Sequence, residues 1–337
     1  MPSLQLHSQL TCLLTSTQDM WNFSKMSVPP QFHTKTPVTR KLPNKIKSAD
    51  KAVGPPQIPA LKNICHLFKL SPILNFETTP AKFKIYATSL TSYCQSKTKE
   101  IHSVSVSSCN FTTLEGFKVS ETDKDAVQLT MYTKNGTRNK MILLALMCCV
   151  DLPPHFAALE KSFSCYPVMV IRGSSMLKSW TCEWFEKEFH AKISPLHFSS
   201  IDLSWMLSLW TGKINFDLSS PTYLVFQVPD EIKGMNEVKI SIDTKDLQYV
   251  WDKIHPDPND SEFTIDQVNE FISQIELFYY EVLKLKITSL KLIKIRNALA
   301  SVSVNGVFKL CSSNHLVHIL RLFCQMSVEQ LSFIYTI

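Results

Sequence analysis

At 337 residues, with 45% hydrophobic and 19% charged side chains, the chain can bury a sizeable core as one large or two small domains plus a tail. Its seven glycines, Gly54, Gly116, Gly136, Gly173, Gly212, Gly234 and Gly306, are isolated from one another, which excludes a glycine-rich phosphate cradle and with it the common nucleotide-binding enzymes. The net charge of +6 is concentrated in residues 1–60, so the folded part can attract an anion only through local clustering.

Residues 1–58 lack sustained periodicity, are rich in Ser, Thr, Pro and Lys, and read as a disordered basic tail. Within it KTPVTRKLPNKIK (35–47) suits either nuclear import or plain solubilisation, and Thr36 before Pro37 is a candidate phosphorylation site. The folded part divides loosely near Pro221 into an N-terminal α+β lobe, 59–220, and a C-terminal α+β lobe, 221–337. The expected class is α+β, with largely antiparallel strands covered by helices.

In the first lobe LKNICHLFKLSPIL predicts a short amphipathic helix with Leu61, Ile64, Cys65 and Phe68 inward, broken at Ser71 and Pro72. A second helix is predicted over 82–95. Residues 101–150 read as antiparallel strands, beginning with the alternation at 101–107, and Asn135-Gly136 is the clearest turn signal. A strand at 166–171 ends at Gly173, and Trp180, Trp184, Phe185 and Glu188 then mark a helix. The stretch SPLHFSSIDLSWMLSLWTG (194–212) predicts a helix apolar nearly all round, with Ile201, Trp205, Ser208 and Leu209 on one side, serines at its start and Gly212 as its stop. Trp205, Trp210 and Trp251 are predicted core residues.

In the second lobe, strands are predicted at 222–228 and 237–242 and a helix from about 244 that presents Leu247, Val250, Trp251 and Ile254. Thr264-Ile265-Asp266-Gln267 forms a capping box for a longer helix. Strands follow at 284–287, 290–296, 299–304 and 307–311, the last two joined by Asn305-Gly306, and a closing helix begins near Ser313.

The ten cysteines contain no CxxC pair, so neither a zinc knuckle nor a disulfide ladder is indicated, and free thiols in a reducing compartment are expected. The longest apolar run, 141–150, is about half of what a membrane helix needs, so no membrane partner is expected. His315 and His318 have helical ligand spacing but no third ligand nearby, and no serine elbow or carboxylate pair suggests catalysis. No cofactor, metal or small-molecule substrate is expected.

Between Val282 and Val328 there is no acidic residue, whereas Lys284, Lys286, Lys291, Lys294, Arg296, Lys309 and Arg321 are cationic. Such a row on a twisted sheet suits a phosphate backbone; it also suits the protection of an edge strand by lysines, or an acidic protein neighbour in a pure scaffold. An enzyme acting on nucleic acid would add a carboxylate cluster beside it.

The order WFEKEFHAKISPL, IDLSWMLSLWTG, LQYVWDKIH, FTIDQVNEF and the basic strands through NGVFKL resembles the centromere protein L family, from about Leu61 to Phe323. Its most specific part is Leu203-Ser204-Trp205-Met206 with Trp210-Thr211. The resemblance implies a non-enzymatic subunit of the inner kinetochore, located in the nucleus at the centromere. It also implies a heterodimer with centromere protein N, contacts with other inner-kinetochore subunits, and a position against the centromeric nucleosome and its linker DNA. The resemblance implies basic residues at or near Lys291, Lys294 and Lys309, and with Lys284 from the acid-free run these are the expected DNA-binding residues. Strand addition by the partner is expected along 299–311, through Leu299, Val302, Val304, Val307, Phe308 and Leu310.

Overall fold

The computed structural model describes residues 39–41, 58–101, 105–120, 123–135, 138–152, 162–213, 220–255, 262–284 and 286–335. Thr36 and nearly all of the basic tail lie outside them. The chain forms β1 (Thr39–Lys41), β2 (Cys65–Leu70), β3 (Ile73–Leu74), helix α1 (Pro80–Ile101), β4 (Ser108–Leu114), β5 (Ala126–Asn135), β6 (Arg138–Cys148), β7 (Phe163–Ser164), β8 (Val168–Gly173), α2 (Ser175–Phe189), β9 (Ile193–Pro195) and α3 (Ser200–Lys213). It continues with β10 (Thr222–Gln227), β11 (Glu237–Ile242), α4 (Thr244–Ile254), β12 (Glu262–Thr264), α5 (Ile265–Leu283), β13 (Lys291–Arg296), β14 (Ala300–Ser303), β15 (Val307–Leu310) and α6 (Leu316–Tyr335).

The class is α+β, and one eleven-stranded sheet organises it. Its order is β11-β10-β13-β14-β15-β2-β8-β6-β5-β4, with β9 beside β2, and the neighbours pair antiparallel. The sheet is continuous across Pro221, because β2 lies between β15 and β8. Two short ribbons, β1 with β12 and β3 with β7, stand apart from it.

Two cores hold the helices to this sheet. On β4, β5, β6 and β8 a cluster rich in aromatic rings, including Phe76, Tyr86, Phe111, Trp184, Phe185 and Phe189, seats α1 and α2. The second core surrounds α3, whose Trp205 and Trp210 are buried, and extends to Trp251 on α4, which stacks on Phe263 with centroids 4.2 Å apart. Helix α3 contacts α4, α5 and β13. Gly212 serves that contact: a Cβ there would overlap the indole of Trp251, with Cε2 at 2.6 Å and Nε1 nearer still, so the residue permits close approach while the helix runs on to Lys213.

Three predicted elements differ. The segment expected as a helix from Leu61 is a 3-10 turn, Pro59–Lys62, followed by strand β2. Its apolar residues are buried in alternation, Cys65 and Leu67 inward, while Ile64 is 62% exposed; ladder partners on β8 and β15 override the local helical spacing. The strand expected at 101–107 gives way to α1, which extends to Ile101 before β4 begins at Ser108. Side chains from its later turns hold the strand that follows: Thr91 Oγ1 accepts from the Cys109 N–H at 3.0 Å and Gln95 donates to the Val106 carbonyl at 3.2 Å. The strand expected at 284–287 does not appear among the described residues either. Lys284 ends α5 in the left-handed region with φ 55°, and Ile287–Ser289 is a 3-10 turn that leads into β13.

Candidate nucleic-acid interface

The basic residues of the second half are brought together by register. Directly paired residues share a face, and one row runs Lys309, Ser301, Arg296, Tyr223, Ser241 across β15, β14, β13, β10 and β11. The next row runs Ser303, Lys294, Val225, Lys239, and a third runs Lys291, Gln227, Glu237. Strict alternation along β13 would send Lys291 to the face opposite Lys294 and Arg296. A β-bulge prevents this: Val225 pairs with Lys294 and Phe226 with Leu292, so Ile293 is the extra residue, and all three cations point the same way.

The reverse face of these strands is the core side. Leu224, Phe226, Ile240, Leu292, Ile295, Val302, Phe308 and Leu310 are buried there. Ser200 at the start of α3 donates to the Leu292 carbonyl at 2.9 Å, which ties the tryptophan helix to the back of the basic strand.

On the open face Lys239, Lys291, Lys294, Arg296 and Lys309 are exposed, and among the described residues none of them forms an ion pair with a carboxylate. Glu237, at the rim on β11, is the only acidic residue in the five strands. Lys239 Nζ lies 4.2 Å from the centroid of the Tyr223 ring, and the Arg296 guanidinium carbon lies 5.8 Å from it. Adjacent strands are about 5 Å apart, so Lys309 and Arg296, two strands apart, are separated by about 10 Å at the backbone.

Of the residues expected to contact DNA, Lys291, Lys294 and Lys309 share this face. Lys284 does not lie on the sheet: it caps α5, with Nζ 5.9 Å from the Tyr280 ring. Lys239 and Tyr223 were not anticipated. The alternation of EVKISI marks Lys239 as facing away from the core, but only the pairing of β11 with β10, and β10 with β13, brings it to the cations of β13. The edge-guarding explanation fails for β13 and β15, because both are interior strands.

The expected partner edge along 299–311 also requires correction. Strand β14 is paired on both sides by β13 and β15, and β15 by β14 and β2. Leu299, Val302, Phe308 and Leu310 are buried in the chain's own core, while Val304 and Val307 are half-buried. Among the described residues the strands at the two ends of this order are β11 and β4, each paired on one side only.

Other chemistry is sparse. Among the described residues no group of three His, Cys, Asp or Glu side chains could hold a metal, and no helix is long and apolar enough to cross a membrane. His315 and His318 have ring centroids 6.3 Å apart, and burial lowers both pKa values. The nine described cysteines are free, and burial pushes the Cys65 and Cys109 thiols up to about 11.

A family model described as centromere protein L matches residues 61–328. The chain is 25% identical over 275 residues to centromere protein L of Gallus gallus, covering 79% of this chain and 78% of the relative. Against the Homo sapiens protein of that name it is 22% identical over 307 residues, 88% of each chain. Against the Danio rerio protein it is 25% identical over 291 residues, 82% of this chain and 78% of the relative.

Proposed function

The chain belongs to the centromere protein L family, and from that premise we propose that it is a kinetochore subunit whose open sheet face binds DNA at the centromere. The family is a structural kinetochore component, acting in the nucleus, and the proposed role is non-enzymatic. In this reading the chain pairs with centromere protein N, joins other inner-kinetochore subunits, and lays β10, β11, β13, β14 and β15 against the linker DNA of the centromeric nucleosome.

The observation that carries the reading is the set Lys239, Lys291, Lys294, Arg296 and Lys309, exposed on one face without carboxylate partners among the described residues. Unpaired cations about 7 to 10 Å apart on a twisted surface are suited to successive phosphates, which they neutralise with release of counterions. Such contacts are indifferent to sequence, as suits a subunit that positions chromatin.

The test is a titration of the purified pair with duplex DNA at several salt concentrations. Changing Lys291, Lys294 and Lys309 together to Glu should weaken binding at least about tenfold and lower the salt slope by about 2 to 3, with the melting temperature held. A salt slope equal to that of the wild type would remove the face from the DNA contact. The same measurement addresses a scaffold that meets an acidic protein, for which naked duplex should bind weakly from the start.

A further inference from the structure

Tyr223 occupies an unusual place on the open face. It sits on β10 between two strands that each supply a cation: Arg296 is its direct partner on β13, and Lys239 is its diagonal neighbour on β11, two residues before its direct partner Ser241. Both charges reach the one ring, at 4.2 Å for Lys239 and 5.8 Å for Arg296. Each distance is within the range in which the negative face of an aromatic ring attracts a cation. The nearby acid in these strands, Glu237, forms no ion pair with either among the described residues.

Two like charges held at one ring repel each other, and the ring offsets only part of that repulsion. An anion between them would remove the remainder. Flexible side chains of this length also lose rotamer freedom when they bind. A ring that already restrains both reduces that loss.

We propose that Lys239, Tyr223 and Arg296 form a phosphodiester clamp, with Tyr223 as the positioning residue that holds the two cations ready. The inference rests on the DNA-binding reading of the face and extends it to a defined subsite. Tyr223 and Lys239 of the clamp lie on the β10–β11 side of Lys291, Lys294 and Arg296, and Lys309 lies on the other. A duplex that engages all of them must cross the strands, along the row that runs from Lys309 through Arg296 to Tyr223, with Lys239 beside it in the row of Lys294. The clamp therefore contributes orientation as well as charge.

The experiment separates preorganisation from charge. Lys239→Gln and Arg296→Gln should each lower the slope of log affinity against log salt by about 1. Tyr223→Leu removes no charge, so its slope should stay at the wild-type value while affinity for a duplex falls about fivefold. Tyr223→Phe keeps the ring and should bind like the wild type. The assay is fluorescence anisotropy of labelled duplex with the full chain and its partner, with thermal melts to show that each variant is folded.

A folded Tyr223→Leu protein that binds as tightly as the wild type would overturn the positioning role. Unchanged slopes for both Gln variants would overturn the clamp itself, even if the Lys291, Lys294 and Lys309 substitution still weakens binding; in that case the DNA-binding face stands without it. Should none of the charge variants alter binding, both readings fall together. If Tyr223→Leu does not fold, the Gln slopes and the Tyr223→Phe affinity decide.

Discussion

Asp123 is a carboxylate that this fold requires in its ionised form. It is 4% exposed, and its oxygens accept from the backbone N–H groups of Val119 at 2.9 Å, Ser120 at 3.0 Å, Asp151 at 2.9 Å and Leu152 at 3.2 Å. Burial by itself would raise its pKa; the amides of Ser120, Asp151, Val119 and Leu152 together outweigh burial and hold it below the usual carboxylate range. A depressed folded-state pKa contributes stability that is fully present above the unfolded value of about 3.9 and lost as pH falls through the folded value. Asp123→Ala leaves buried amides without an acceptor and should cost about 3 kcal/mol or more at pH 7. Urea denaturation measures this, and the gap from wild type should narrow at the acid end; equal stability at pH 7 would show the amides are satisfied otherwise. Nothing in the stretch ETDKDA announces this role, because two of the partners lie 28 and 29 residues away. Thr264 and Gln267 are the contrast. Their reciprocal bonds, Gln267 N–H to Thr264 Oγ1 at 3.2 Å and Thr264 N–H to Gln267 Oε1 at 3.0 Å, close within one turn, so the local motif suffices to read them.

At the scale of elements, α3 supports the binding face from behind. Leu203, Trp205, Met206, Leu207, Ser208, Trp210 and Thr211 are buried, so the all-round apolar pattern was legible; Ile201, which that pattern placed on the side of Trp205, is instead 58% exposed in the first turn. Trp205→Ala opens a cavity between α3 and the sheet and should cost about 3 to 5 kcal/mol. Because α3 touches the core side of β13, DNA affinity per folded molecule should stay within about twofold, a shift of less than about 0.5 kcal/mol. Denaturant melts and anisotropy on the same sample check both numbers, and a large loss of affinity in folded protein would make α3 part of the interface. The basic strand was harder to read. Its cations and its span were visible in the sequence, but the bulge at Ile293 was not, since a bulge is set by pairing with β10 rather than by β13 alone. The 284–287 segment failed for a related reason: two lysines with apolar neighbours resemble a strand, yet β13 already has neighbours on both sides in β10 and β14.

At the scale of the molecule, the sheet has one face open in its second half and, among the described residues, one unpaired edge there, β11; under the proposed function these are separate surfaces, the face for DNA and the edge for the protein partner. The alternation of single strands was legible, but the order β13-β14-β15-β2 was not, because long-range pairing between 307–308 and 65–66 leaves no local mark. If the proposed partner adds a strand, that order moves the edge open to it from 299–311 to β11. Val228 N–H bonds the Asn236 carbonyl at 3.0 Å, so by the antiparallel pattern Val238 and Ile240 turn their backbone groups toward β10, while Glu237, Lys239 and Ser241 turn theirs outward. The Ser241 carbonyl accepts from the Tyr279 hydroxyl at 3.0 Å, as that direction requires, which leaves Glu237 and Lys239 for an added strand. Lys239→Pro removes an outward N–H at no cost to the inward ladder, a position where proline is tolerated on an edge. Lys239→Gln removes only the charge. On co-expression with centromere protein N and size-exclusion chromatography, the Gln variant should co-elute with the partner and the Pro variant should elute alone, both folded by circular dichroism. Co-elution of the Pro variant would place the heterodimer contact elsewhere and leave β11 an unpaired edge, guarded by Lys239.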